Sequence, residues 1–146
     1  MTDDIRTIRP LFHYTCECGH AALTEDPVIR PAAHLVPAWK LLRTAGDIRS
    51  LLALSWFTDL AIPDVDALGL TRRRITCARW RYRWIVTGVV QRPVPWLTER
   101  HRLPARVVHE LERSPGAQPE HWWVSRVPVT VQYHPLQATE RKTARR

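Results

Sequence analysis

Lysine is almost missing from this chain: of its 22 basic residues 20 are arginine and 2 are lysine. Glycine is scarce too, 5 in 146 residues with none clustered. That excludes a glycine-rich phosphate loop, which needs several adjacent backbone N–H groups turned toward one anion. Cysteine numbers 3, an odd count that fits free thiols in a reducing compartment better than a disulfide framework. No apolar run approaches the length of a membrane-spanning helix. The opening Met1-Thr2-Asp3-Asp4 is acidic and is followed by no apolar stretch of the kind a secretory leader carries. Together these absences lead to the expectation of a cytoplasmic protein with no membrane partner.

Apolar residues make up 45% of the sequence, a globular composition rather than a disordered one. The length fits one domain, expected over residues 1–138. Arg141, Lys142, Arg145 and Arg146 crowd the end, so residues 139–146 read as a basic flexible tail. The formal net charge is +8. The arginine excess follows in part from GC-rich codons of the kind common in bacteria and their phages. It also suits an anionic ligand, nucleotide or nucleic acid, or an acidic protein partner, because the guanidinium fork matches phosphate and carboxylate oxygens two at a time.

Six arginines fall between Arg72 and Arg83, and the second half of that run alternates with aromatics: Arg79-Trp80-Arg81-Tyr82-Arg83-Trp84. Successive side chains of a strand point to opposite faces. A strand over residues 74–87 would therefore set Arg79, Arg81 and Arg83 on one face, toward water or an anion, with Trp80, Tyr82 and Trp84 on the core side.

Leu11-Phe12-His13-Tyr14-Thr15 reads as a short buried strand, Glu17–Leu23 as a helical turn or two, and Val28-Ile29-Arg30-Pro31 as extended. A short helix is expected at Ala38–Arg43 and a second buried strand over Ser50–Asp59. Pro63–Gly69 has proline first and glycine last, the pattern of a short helix. Pro104–Arg113 is the strongest helix, with Val107, Val108 and Leu111 as its apolar stripe. Trp122–Ser125 and Val127–Tyr133 read as further strands, with Pro128 marking an edge or a bend. Strands outnumber short helices, which predicts a compact α+β domain built on a mixed or antiparallel sheet.

Cys16-Glu17-Cys18-Gly19-His20 invites a metal reading, with His13 and Cys77 as further ligands. One residue between the cysteines is too few for the usual structural zinc spacing, and no second Cys/His pair follows; zinc is not expected. No thiol-protease signature accompanies the Cys and His residues. Glu120-His121-Trp122-Trp123 reads as core.

Leu11–Thr15, the helix after it, the extended Val28–Pro31 and then Ser55-Trp56-Phe57-Thr58-Asp59 resemble, over roughly residues 11–59, the N-terminal half of small proteins of the ADP-ribosyltransferase-like fold, including the RNA 2′-phosphotransferases. In that family the first core strand carries a His that contacts the nicotinamide-side ribose of NAD, and a later strand lines the nicotinamide pocket. The resemblance implies NAD as cofactor, His13 and Tyr14 as catalytic residues holding the ribose and the adjoining backbone, and Thr15 beside them in the cofactor site. It also implies that Trp56, Phe57 and Thr58 wall the nicotinamide and that Arg79, Arg81 and Arg83 hold the pyrophosphate. The chain departs from the pattern at its end. Many such transferases carry a Glu on a late strand, whereas Val127–Tyr133 offers Gln132 and no carboxylate, and Glu110 and Glu120 lie outside it. The phosphotransferase branch uses an Arg/His set instead.

Two functions follow as expectations. One is an NAD-binding ADP-ribosyltransferase-like protein acting on a nucleic-acid or protein target. The other is a non-enzymatic basic accessory protein that binds nucleic acid or an acidic protein partner.

Overall fold

The structure, a computed structural model, describes residues 8–35, 46–69, 78–88 and 91–144. It is an α+β fold whose seven strands form one antiparallel sheet in the order β2-β7-β4-β1-β3-β6-β5. In chain order these are β1 (Phe12–Thr15), β2 (Val28–Ile29), β3 (Ser55–Thr58), β4 (Tyr82–Val86), β5 (Val94–Pro95), β6 (Trp122–Ser125) and β7 (Val129–Tyr133). Among the described residues five α-helices accompany them: α1 (Glu17–Glu25), α2 (Gly46–Leu52), α3 (Trp96–Glu99), α4 (Ala105–Glu112) and α5 (Ala138–Ala144).

The strand alternation places one core on each face. Leu11, Phe57, Trp84, Val86, Val129 and Val131 pack with Leu23 of α1 and Ile29 of β2 on the first. On the second, Trp96, Trp122, Val124 and Leu54 pack with Leu103 and Val107, and Phe12 and Tyr14 pack with Leu136. Trp96 is fully buried (0% exposed), and its indole N–H donates to Glu112 at 2.8 Å. Glu112 also accepts from Arg100, so one carboxylate fixes the tryptophan and ties α3 to α4.

Helix α1 starts at Cys16, whose backbone is extended, carries Glu17 in its first turn, and stops at Asp26 before Pro27. An acidic first turn suits the positive end of the helix, and a proline pushes the residue before it out of helical geometry. The helix lies close on β1 because residue 19 is glycine: a Cβ there would stand 1.9 Å from the Thr15 hydroxyl oxygen.

Several expectations are corrected. The strand expected over Ser50–Asp59 is helix through Leu52 and strand only at Ser55–Thr58. Leucine and alanine favour helix, and an apolar run has no periodicity that separates it from a buried strand. Pro63–Gly69 is a series of turns. The Asp64 side chain accepts the backbone N–H groups of Asp66 and Ala67, an Asx arrangement that competes with helix. The arginine-rich strand begins only at Tyr82. Arg79 lies in a turn and Arg81 in a bend, so the three arginines share no pleated face. Ala138–Ala144, within and just before the segment expected as a tail, form α5, where Glu140 accepts the Gln137 backbone N–H at 3.0 Å, half of a capping box; Arg145 and Arg146 lie outside the described residues. The helix expected at Ala38–Arg43, Arg72, Arg73, Arg74 and Cys77 lie outside the described residues.

Candidate functional site

Strand β1 is paired along its whole length with β4, and β3 along its whole length with β6. Between them a single pair is formed, Phe12 with Thr58. Past that pair the strands part, and a cavity of about 1210 Å³ opens between them. His13, Thr15, Trp56, Phe57 and Thr58 border it, together with Arg79 from the turn before β4. Six of the residues singled out as cofactor-binding thus meet around one space, although β1 and β3 are forty residues apart in sequence.

His13 is largely buried, with its ring 5.7 Å from that of Phe57. Its Nδ1 lies 2.8 Å from the Trp56 carbonyl oxygen. A carbonyl can only accept, so Nδ1 carries the proton and Nε2 keeps its lone pair. Burial holds the imidazole pKa below 6.5, the nearby Arg79 charge adds to that, and the Trp56 hydrogen bond opposes it. At neutral pH the ring is a neutral acceptor, suited to a ligand hydroxyl.

Tyr14 also borders the cavity, but its hydroxyl donates to the Leu60 carbonyl at 2.7 Å. Burial raises its pKa above the usual phenol value, against the opposing pull of Arg83. A protonated, occupied phenol is neither base nor nucleophile here. This corrects the catalytic role expected for its side chain; its part is to hold the Leu60 loop against β1.

The arginines separate. Arg79 is exposed and borders the cavity. Arg81 stands 4.0 Å from Glu17, both well exposed, and is not among the residues around the cavity. Arg83, expected to face an anion, is buried (4% exposed). It donates to the carbonyls of His134 and Pro135 at 3.0 and 3.1 Å, to the Ala61 carbonyl, and to Glu140 at 2.7 Å. Its charge is spent on the fold. The alternation that predicted its direction is correct, but the second face of β4 is covered by the segment leading into α5.

Other charged groups reach the cavity that the sequence reading did not place there. Asp26 and Arg30, an i,i+4 pair at 2.8 Å, border it beside α1 and β2. Glu110 and Arg113, an i,i+3 pair at 3.1 Å, border it at the end of α4. Their spacings mark each pair in the sequence; nothing there shows that both face one space. A further cluster lies at the end of β3, where the buried Asp59 carboxylate accepts from Arg9 at 2.7 Å and His121 Nδ1 at 2.6 Å. It joins the segment before β1 to the start of β6 and is not part of the cavity wall. Among the described residues no group of three or more His, Cys, Asp or Glu could hold a metal ion, and no helix is long and apolar enough to cross a membrane.

No protein-family model matches the chain, and neither a curated protein nor a solved structure matches it significantly. The functional reading therefore rests on the site alone.

Proposed function

We propose that this protein binds NAD in the cavity between β1 and β3 and acts as an ADP-ribosyltransferase-like protein on a nucleic-acid or protein target. One observation carries the reading: His13, Thr15, Trp56, Phe57, Thr58 and Arg79, drawn from three separate segments, border one cavity at the place where the sheet parts. The residues fit the dinucleotide by chemical type. His13 Nε2 is an open acceptor for a ribose hydroxyl. Phe57, on the same pleat face as His13, offers an apolar wall to a flat ring, and Trp56 lines the other face of the opening. Arg79 brings a guanidinium to the same space, where a pyrophosphate needs one.

Bound NAD supplies an ADP-ribosyl group once nicotinamide departs. The residues of this chain orient and neutralise. His13 fixes the ribose through Nε2, and the Trp56 carbonyl keeps its tautomer from changing. The aromatic walls limit the water that reaches the ribose carbon. Arg79 balances the phosphate charge. Such a site stabilises developing charge by position and needs little movement.

Isothermal titration with NAD tests the reading. The parent protein is expected to bind, Arg79→Ala to weaken binding about tenfold or more, as loss of a charge-assisted hydrogen bond does, and His13→Asn to weaken it without lowering the melting temperature much. Absence of NAD binding by the parent protein would remove the assignment.

The non-enzymatic reading as a basic nucleic-acid or acidic-protein binder keeps the net charge of +8 in its favour. It loses the solvent-facing row of three arginines on which it drew most.

A further inference from the structure

The cavity is larger than one ligand needs, and its two ends differ. Ligand sites commonly enclose roughly 300–1,000 Å³; this one holds about 1210 Å³. Residues from both pleat faces border it. Phe57 belongs to the core cluster of one face and Trp122 to that of the other, yet both lie on its wall. The space thus passes through the sheet where β1 and β3 part. On the first face α1 and β2 close it with Asp26 and Arg30; on the second the end of α4 closes it with Glu110 and Arg113.

We propose that the α4 end is the acceptor subsite and that its occupant is a nucleic-acid strand, held through a backbone phosphate by Arg113. The proposal rests on the reading that NAD fills the part between β1 and β3.

Three observations favour a phosphodiester strand. Val107, Val108 and Leu111 of α4 pack inward, which leaves Arg106, His109 and Arg113 exposed on the outer side, with Arg113 itself at the cavity border. Arg106 and Arg113 are seven residues apart, so they share a helix face at a separation of about 10 Å. One small phosphorylated ligand does not reach both, whereas a strand that repeats its phosphates does. The Glu110–Arg113 pair is half-exposed on both sides, 47% and 61%, and an exposed pair of this kind is weak and readily exchanged. A peptide carboxylate would replace Glu110 with its own equivalent. A nucleic acid also releases condensed counterions as its phosphates are neutralised, and the net charge of +8 draws it to the surface.

The test is fluorescence anisotropy with short labelled single-stranded DNA and RNA oligonucleotides across a salt series, with NAD titrated separately by calorimetry. The parent protein is expected to bind the oligonucleotide with steep salt dependence. Arg113→Ala should weaken that binding and reduce the log–log salt slope by about one, with NAD affinity unchanged. Glu110→Gln should tighten oligonucleotide binding several-fold, because it frees Arg113 from its competitor; loss of a structural contact would not produce that result. Both side chains are exposed, so both variants fold. Oligonucleotide affinity that is absent, or unmoved by either substitution, overturns the proposal, as does an acidic peptide that binds as tightly at the same salt. Oligonucleotide binding that depends on Arg113 in a protein that does not bind NAD would instead sink the donor reading and leave the strand subsite standing.

Discussion

His13 has one ring proton in its neutral form, and the Trp56 carbonyl decides which nitrogen carries it. That contact leaves Nε2 as the only part of the ring able to accept from a ligand. Arg83 shows the opposite outcome for a polar residue on a strand: five of its N–H···O contacts go to protein oxygens, two of them to Glu140. Removing a partner from a charge-assisted contact this buried leaves the guanidinium short of an acceptor. Glu140→Gln is therefore expected to cost about 1.5–3 kcal/mol, read as a lower urea midpoint with an unchanged slope. Arg83→Met should cost at least as much, because the carbonyls of Ala61, His134 and Pro135 would then lose a donor. If both variants were as stable as the parent, this contact would not hold the fold together.

Among the elements, α1 and α4 matter most to the cavity because each supplies one of its ends. Gly19 lets α1 sit directly over Thr15, and both residues border the cavity. Gly19→Ala would place a methyl group 1.9 Å from the Thr15 hydroxyl oxygen, so the Thr15 side chain must turn or the helix must shift outward. The expected cost is about 1–3 kcal/mol from overpacking, with weaker NAD binding; the double variant with Thr15→Ser should recover part of both, because a serine hydroxyl, without the γ-methyl group, turns away from the new methyl group. Gly19→Ala with Thr15→Ala removes that oxygen and should recover part of the stability in thermal melts. Helix α4 is held from the other side by Trp96 and Glu112. Trp96→Ala, which empties a fully buried site, should cost about 3–5 kcal/mol.

At the scale of the molecule, two ionisable groups among the described residues have shifts that make it sensitive to acid. The folded pKa of His13 lies below its ordinary 6.5, so the unfolded chain binds the proton more readily. Its contribution to stability is full above pH 6.5 and is lost as pH falls through the folded value. The Glu140 carboxyl is held below its ordinary 4.5, first by the Arg83 hydrogen bond and then by the Gln137 N–H. Its contribution is present above pH 4.5 and is lost as pH falls through its lowered value. Melting temperature should therefore fall in two stages on acidification, the first absent in His13→Asn and the second absent in Glu140→Gln. A single stage that both variants share would contradict this assignment.

The sequence by itself determined the α+β class, the strands at Phe12–Thr15 and Trp122–Ser125, and the helix after Pro104. In each of these, local preference, alternation or a 3.6-residue stripe agrees with burial. It also marked His13, Thr15, Trp56, Phe57 and Thr58, which do meet. Only the tertiary structure decided that Arg83 is a buried clamp while Arg79 faces the cavity, that Tyr14 gives its hydroxyl to Leu60, and that Glu110 and Arg113 close one end. Alternation says which way a side chain leaves its own strand. What covers that side is set by segments far away in the chain, here residues 134–140 over Arg83, and no local pattern encodes a contact across fifty residues. The cavity itself arises because β1 and β3 pair at one point and then part, a property of two strands together that neither one's sequence holds.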